Sequence, residues 1–463
     1  MMETFSMNKC AEPGTGKHPR AAGIVLAACV AALCAFAASG CTMLVEEWDV
    51  PELNLLELDR EFGTSGEARF VTADTNEFAY AGAVQSDGKI VVAGKVWNGS
   101  NHDIQVVRFN ANGTVDTDFG AGGAYVHGIS ENDSARAVAI QEDGKIVVAG
   151  VSGEGNEATS IVVIRLNEDG SPDDTGFGTG GIVITDTPGT YDDVCSIAAQ
   201  DDGTILVGGS AYFDATYNRD FLVVRYQSNG AIDTTFGSSG FARAQDTDSP
   251  LGKKMAVQGD GKIVVAGYSG SSGRIARLNA DGSLDTGFGS LGYVTDSQCV
   301  ATTMCLDESG RIVTAGIGSD LIAVSRFTGT GAPDGTFGTG GSISIDRKSS
   351  ESINDIHEVD GKIVLLDDYY RLYRFNDDGV EDGSFHAADE EGSRYAFDDN
   401  HLYSLRAFST GIHFGLLCYT HVSTFFFFHE PGKIVVGGHS DLADGDIITD
   451  NDYFFQLGRI LVP

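Results

Sequence analysis

The sequence is short of proline, tryptophan and positive charge. It has 9 Pro and 2 Trp in 463 residues, and 30 Lys and Arg against 66 Asp and Glu, a formal net charge of −36. The cation deficit argues against nucleic acid as a partner, because phosphates are neutralised by Lys and Arg. Gly is plentiful, at 61 residues, about twice its usual ~7% share. No Gly-X-Y period accompanies it, which excludes collagen. Wholesale disorder is excluded because 42% of the residues are apolar, enough to build a core. No segment has a sustained helical period. There is no HExxH, no Ser/His/Asp signature, and no CxxC or Cys/His spacing that suggests zinc.

The first forty residues read as an address. A polar start with Lys9, Lys17 and Arg20 precedes Ala21–Ala37, which carries no charge, and Ala38-Ser39-Gly40-Cys41 follows. A basic start, a short apolar run and small residues before a cut make a secretory signal. The Cys after the small residues resembles a bacterial lipobox, which implies that Cys41 is lipidated and becomes the mature N-terminus. Thr42 after it implies sorting to the outer membrane. The 25 uncharged residues of Ala21–Val45 also fit a plain transmembrane anchor, and cleaved soluble export is a third reading. In each case the bulk of the chain is expected outside the cytoplasm, because the basic residues precede the apolar run. Residues 1–40 are thus expected as signal peptide, 41–57 as a short tether and 58–463 as the folded part.

Export permits disulfides, but Cys195, Cys299, Cys305 and Cys418 form no framework. Cys299 and Cys305 are expected on one strand, about 20 Å apart, whereas a disulfide needs Cα atoms within about 7 Å. Buried free thiols are the expectation.

The rest of the chain is one repeated unit. DGKIVVAG begins at Asp87, Asp143 and Asp260, and variants begin at Asp202, Ser309, Asp360 and Pro431. The turn glycines Gly88, Gly144, Gly203, Gly261, Gly310, Gly361 and Gly432 are spaced by 56, 59, 58, 49, 51 and 71 residues. Such a period signals a solenoid or a propeller. Each unit reads as four short strands rich in β-branched residues, and the Asp-Gly pair marks a hairpin. A second signature separates the octapeptides, as in NANGTVDTDFGAGG from Asn110 and NADGSLDTGFGSLG from Asn279. Its Gly and Asp suit the crossing from one blade to the next.

Together the two signatures resemble the delta-60 repeat family over about Leu58 to Arg459. The resemblance implies an extracytoplasmic, β-propeller-like protein and supplies no catalytic residues. The expected fold is all-β, a propeller of four-stranded antiparallel blades. Seven blades are favoured and eight are the alternative, with an irregular insertion around 386–430. Phe425–Phe428 within that stretch is expected as a strand.

A residue present in every unit serves the unit. The arginines Arg108, Arg165, Arg225, Arg277, Arg326 and Arg374 recur at a fixed offset, as do Asp59, Asp116, Asp233, Asp285, Asp334 and Asp382, and an ion pair or turn clamp per blade is expected. Both signatures fall at one end of the blades, so the other end carries the loops that differ. Variable loops on a rigid scaffold are where binding usually sits. The candidate binding face is therefore Trp97, His102, Tyr212, Phe213, Tyr217, Tyr268, Tyr369 and Tyr370. Exposed aromatics there would stack on sugar rings or dock a protein. The bland reading is that they cap blade ends. Acids near that end (Asp74, Glu77, Glu131, Asp133, Asp186, Asp192, Asp193, Asp246 and Asp248) read either as part of that surface or as solvated loop charge.

Calcium in the connectors, with Asn110, Asn167, Gln227, Asn279 or Asn376 first, is the weaker reading of turns that explain themselves. No cofactor is expected. His102, His127, His357 and His439 stand alone in the sequence. The expected function is a non-enzymatic, lipid-tethered binding scaffold for a protein or glycan, and a monomer. The alternatives are a structural surface component and an envelope hydrolase or lyase. The last would need converging carboxylates or a His–acid pair at the mouth of a central channel.

Overall fold

In a strand covered on both faces, an apolar run need not alternate. The octapeptide stretch Ile90–Gly94 is such a strand: all five of its residues are buried. The computed structural model describes residues 57–64, 66–70, 77–153, 159–213, 218–246, 249–318, 321–346, 353–367 and 372–382, and strands at 425–430, 433–441 and 453–461. There is no helix among them, and so none long and apolar enough to cross a membrane.

The described chain opens with β1 (Glu57–Leu58) and β2 (Glu67–Phe70). The first full sheet is β3 (Glu77–Val84), β4 (Ile90–Trp97), β5 (His102–Phe109) and β6 (Ala124–His127), antiparallel in that order. The second is β7 (Asp133–Ile140), β8 (Ile146–Ser152), β9 (Ser160–Leu166) and β10 (Ile182–Thr185). The third is β11 (Thr190–Ala199), β12 (Ile205–Tyr212), β13 (Arg219–Tyr226) and β14 (Phe241–Ala244). The fourth is β15 (Leu251–Val257), β16 (Ile263–Ser269), β17 (Ser272–Leu278) and β18 (Tyr293–Asp296). The fifth is β19 (Val300–Leu306), β20 (Ile312–Ile317), β21 (Leu321–Phe327) and β22 (Ser342–Asp346). The sixth has three described strands, β23 (Ile353–Val359), β24 (Lys362–Asp367) and β25 (Leu372–Phe375).

The seventh sheet joins the two ends of the chain. Its strands β26 (Phe425–Glu430), β27 (Lys433–Asp441) and β28 (Tyr453–Leu461) pair in sequence, and β1 and β2 both pair with β28. Phe425–Phe428 is thus a strand of this sheet, at the end of the stretch expected as an insertion. Residues 383–424, where the alternative eighth blade is expected, lie outside the described residues. So do Cys41 and the rest of the leader.

The first strands of successive sheets pack against one another, β3 on β7, β7 on β11 and so on, and β26 packs on β3. Apolar clusters fill the spaces between neighbouring sheets. Val91 and Val106 of the first sheet, for example, meet Ile146, Val148 and Ile164 of the second. Cys195, Cys299 and Cys305 are free thiols, but only Cys299 is buried and the other two are half-buried; Cys418 lies outside the described residues.

One expectation is corrected. The connector does not cross between sheets. Its terminal strand, Ala124–His127 in the first unit, pairs with β5 of its own sheet. The crossing is the short segment between β6 and β7. The sheet therefore begins one strand later than the repeat was divided. The two ends keep their character, because a shift of one strand moves both signatures together.

Candidate functional site

The Asp-Gly turns and the connectors form one end of the sheets, and that end is a belt of identical clamps. Arg108 Nε donates to Asp116 Oδ2 at 2.8 Å, and the pairs Arg165–Asp173, Arg225–Asp233, Arg277–Asp285, Arg326–Asp334 and Arg374–Asp382 repeat the 2.8 Å bond eight residues apart. Each of the first five guanidiniums lies 4.4–4.7 Å from the centroid of the connector Phe: Phe119, Phe177, Phe236, Phe288 and Phe337. The same side chain reaches onward to the next sheet, as in Arg165 Nη1 to Ser228 O (2.6 Å) and Arg225 Nη1 to Ala280 O (2.8 Å). The amide after each Phe does likewise, from Gly120 N to Asp169 O (2.8 Å) through Gly338 N to Asp378 O (2.8 Å). The connector glycine is needed here. Gly282 sits at φ +84, and a Cβ on it would stand 2.8 Å from Gly237 N of the preceding sheet. Asp173 is a clamp acid that the sequence reading left out. These groups are spent on holding sheet to sheet.

The connector amides are also committed. Asn110 Nδ2 donates to Thr114 Oγ1 (3.0 Å), and Asn112 Oδ1 accepts from Thr114 N (3.1 Å). No group of three or more His, Cys, Asp or Glu able to hold a metal occurs among the described residues.

The opposite end carries the candidate aromatics, each half-buried and packed within its own sheet. Trp97, the last residue of β4, meets His102 edge-on at 5.1 Å. His102 Nδ1 lies 3.4 Å from Asn132 Oδ1 of the crossing segment. Tyr212 ends β12 with Arg219 over its ring at 4.6 Å and Tyr191 edge-on at 5.6 Å. Arg243 covers Phe213 at 4.2 Å, and Lys253 lies 5.7 Å from the Tyr268 centroid. Tyr217, Tyr369 and Tyr370 lie outside the described residues.

The acids of that end are not uniformly solvated. Glu77, Asp133, Asp192 and Asp246 are buried, whereas Glu131 and Asp186 are exposed. Asp133 accepts from Ile129 N (2.5 Å), Ser130 N (3.0 Å) and Ser152 Oγ (2.6 Å), which pins the crossing loop to β8. Asp246 receives Arg274 Nε of the next sheet at 2.8 Å. Burial pushes the Asp192 carboxyl up to about 6, against the Thr187 hydroxyl that bonds it. Asp74 and Asp248 lie outside the described residues.

A third feature lies along the axis. Each of the six inner strands β3, β7, β11, β15, β19 and β23 has a register shift against its neighbour that skips one residue, Tyr80, Arg136, Cys195, Lys253, Thr302 or Asn354, and β11 has a second irregularity between Thr190 and Asp193. An extra residue in one strand of a pair is a β-bulge. All six line a central cavity of about 290 Å³. The bulge also explains the last Gly of the octapeptide. A Cβ on Gly94 would stand 1.7 Å from Phe78 O, and on Gly267 it would stand 1.9 Å from Leu251 O.

Charged groups converge on this cavity. Lys254 Nζ of β15 is 3.4 Å from Asp355 Oδ1 of β23. Asp355 holds the Lys254 ammonium above its ordinary range against the cost of burial. His357 Nε2 is 3.3 Å from Asp355 Oδ2, so this histidine does not stand alone. Two residues apart on a strand, the two side chains share one face. Arg136 lies 4.7 Å over the Tyr80 ring. Burial pushes the Cys195 thiol up to about 12, which disfavours its thiolate at neutral pH. Sequence reasoning missed this group. The available signal was a position of changing identity, eight residues before the turn glycine in five units and seven in the sixth.

Residues 85–119, 141–175, 200–236 and 258–288 match the family model described as a domain of unknown function (DUF5122) beta-propeller. Each match starts at the Gln before the Asp-Gly turn and ends in the connector. The chain is a β-propeller-like repeat protein. No curated protein matches it. Among solved structures this propeller is similar to a catalytically inactive virginiamycin B lyase from Staphylococcus aureus with quinupristin, at 9% identity and TM-score 0.46, covering 85% of this chain and 98% of that one. It is also similar to YCF48 from Cyanidioschyzon merolae, at 10% identity and TM-score 0.43 with the same coverage. A protein of unknown function from Bacteroides caccae aligns at 10% identity and TM-score 0.36, over 63% of this chain and 91% of that one.

Proposed function

We propose that the protein is an exported propeller of delta-60-type repeats, tethered to the cell envelope by a lipid on Cys41, that binds a protein or glycan through the end of the ring bearing the variable loops. The asymmetry of the two ends carries this reading. One end spends its Arg, Asp and Phe on clamps between sheets. The other end holds Trp97, Tyr212, Phe213 and Tyr268 at strand ends beside loops that differ from sheet to sheet, with His102 against the first ring and Arg219, Arg243 and Lys253 against the other three. Ordered aromatics cost little conformational entropy to bind. A glycan array and an envelope pull-down with the full-length protein test it. Capture should be lost in a Trp97→Ala, Tyr212→Ala variant with an unchanged melting temperature. Capture unchanged by the variant would sink the reading, and no capture at all would favour a structural surface component. Incorporation of a fatty-acid analogue tests the tether: a Cys41→Ala protein that still takes up label refutes it.

A hydrolase or lyase is the second reading, favoured by the His357–Asp355 pair in the central cavity. A turnover screen with extracts of envelope polysaccharide and peptide substrates tests it. Any activity found must disappear in His357→Ala, and activity that survives removes the pair from consideration.

A further inference from the structure

We infer that the central channel is a binding site for a small molecule bearing an oxyanion, carboxylate or phosphate. The first support is the contrast between backbone and side chain. The bulge recurs in six inner strands, yet the residue it presents to the cavity is Tyr80, Arg136, Cys195, Lys253, Thr302 or Asn354. A bulge needed only for packing would be served by one residue type, as the clamps are. Bulges re-aim side chains and are enriched beside functional sites.

The second support is charge. In a chain of net charge −36, Arg136, Lys253 and Lys254 converge on one cavity in which Asp355 is the one carboxylate among the described lining residues. Asp355 offsets Lys254 at 3.4 Å. Lys253 and Arg136 line the same cavity, and an anion there lowers the repulsion among the three cations. Arg adds a planar fork suited to carboxylate or phosphate oxygens.

The cavity, at about 290 Å³, is at the small end of ligand pockets, roughly 300–1,000 Å³. This site lies on the inner strands and shares only Lys253, through the Tyr268 ring, with the variable-loop reading.

Calorimetric titration of the full-length protein with citrate, pyrophosphate and neutral xylitol tests the inference. Citrate or pyrophosphate should bind, and which of them binds assigns the carboxylate or phosphate source. Xylitol should give no signal. Affinity should fall about tenfold or more in Lys253→Gln and in Arg136→Gln. No binding of either anion to the folded wild type overturns the inference, as does unchanged affinity in both variants. If the variants do not keep the wild-type thermal transition, amine acetylation of the wild type decides. The bound anion should shield Lys253 and Lys254 and leave Lys145 and Lys262 labelled as before. Equal labelling with and without anion overturns the inference.

Discussion

Arg459 Nη2 lies 2.7 Å from Asp59 Oδ2, and the two residues are 400 positions apart. The pair repeats the clamp that every other sheet makes within eight residues, down to the Phe62 ring 4.7 Å beneath the guanidinium. Its Nη1 reaches Ala111 O of the first connector at 2.9 Å. The start of the chain therefore supplies the connector of the last sheet, and this clamp holds the seventh sheet to the first.

Asp59→Ala should destabilise the protein by about 3 kcal/mol, because a buried Arg is left without its carboxylate. Asp173→Ala should cost a similar amount, since Arg165 loses the same partner. Only the first should open the ends, so limited proteolysis should cut near residues 57–70 in Asp59→Ala and not in Asp173→Ala. Equal cutting in both would mean that the terminal pair does not secure the closure.

The clamps predict an acid limit. Burial opposes ionisation of Asp116, but Lys89 and Arg108 outweigh it and hold the carboxyl below its ordinary value. At Asp285, Lys262, the Gly287 amide and Arg277 do the same against burial. Thr336, Arg326 and Arg311 do so at Asp334. Carboxyls whose folded pKa is depressed contribute fully above the unfolded value of about 4 and lose that contribution as pH falls through the folded value. The clamps' own contribution to stability should be constant from neutrality to about pH 5 and fall away steeply below about pH 4, taking the melting temperature down with it. A flat profile down to pH 2 would contradict the clamp energetics.

Asp192 should behave in the opposite sense. Its folded pKa of about 6 lies above the unfolded value of about 3.9, so the folded state holds its proton more tightly and loses stability as pH rises between the two. The loss amounts to at most about 3 kcal/mol above pH 6. Asp192→Asn removes the charge and should raise the melting temperature at pH 7, with the gain vanishing below about pH 4. A gain that persists unchanged at pH 3.5 would mean that the charge is not its source.

Gly282→Ala should cost about 1–2 kcal/mol, because the added Cβ meets Gly237 N at 2.8 Å and the backbone is at φ +84. Gly259→Ala, where nothing lies within 4 Å, should stay within about 0.5 kcal/mol. Chemical denaturation of the two variants side by side measures the difference, and equal effects would show that inter-sheet contact is not why the connector needs glycine.

The strands, their turns and the Arg–Asp pairing were legible because each is local. The Asp-Gly hairpin needs Gly at positive φ, with Gly88 at +82, and the clamp spans eight residues. The Phe and Gly of the connector were legible as a signature but not as an inter-sheet lock. Their partners, such as Asp169 for Gly120, lie about fifty residues on. The aromatics of the variable end were legible as a group because loop position follows from strand count. Their engagement by Arg219, Arg243 and Lys253 was not, since a ring's covering cation is chosen by packing.

Sequence alone therefore determined an all-β repeat with one uniform and one variable end, because strand alternation, turn chemistry and fixed offsets are properties of neighbouring residues. Tertiary structure decided three further things. It assigned each FGxGG strand to the sheet before it, since hydrogen bonding to β5 rather than order in the repeat fixes membership. It closed the ring through Asp59 and Arg459. It also brought Arg136, Lys253, Lys254, Asp355 and His357 to one axial cavity. They come from three inner strands, and only the packing of those strands around an axis makes them neighbours.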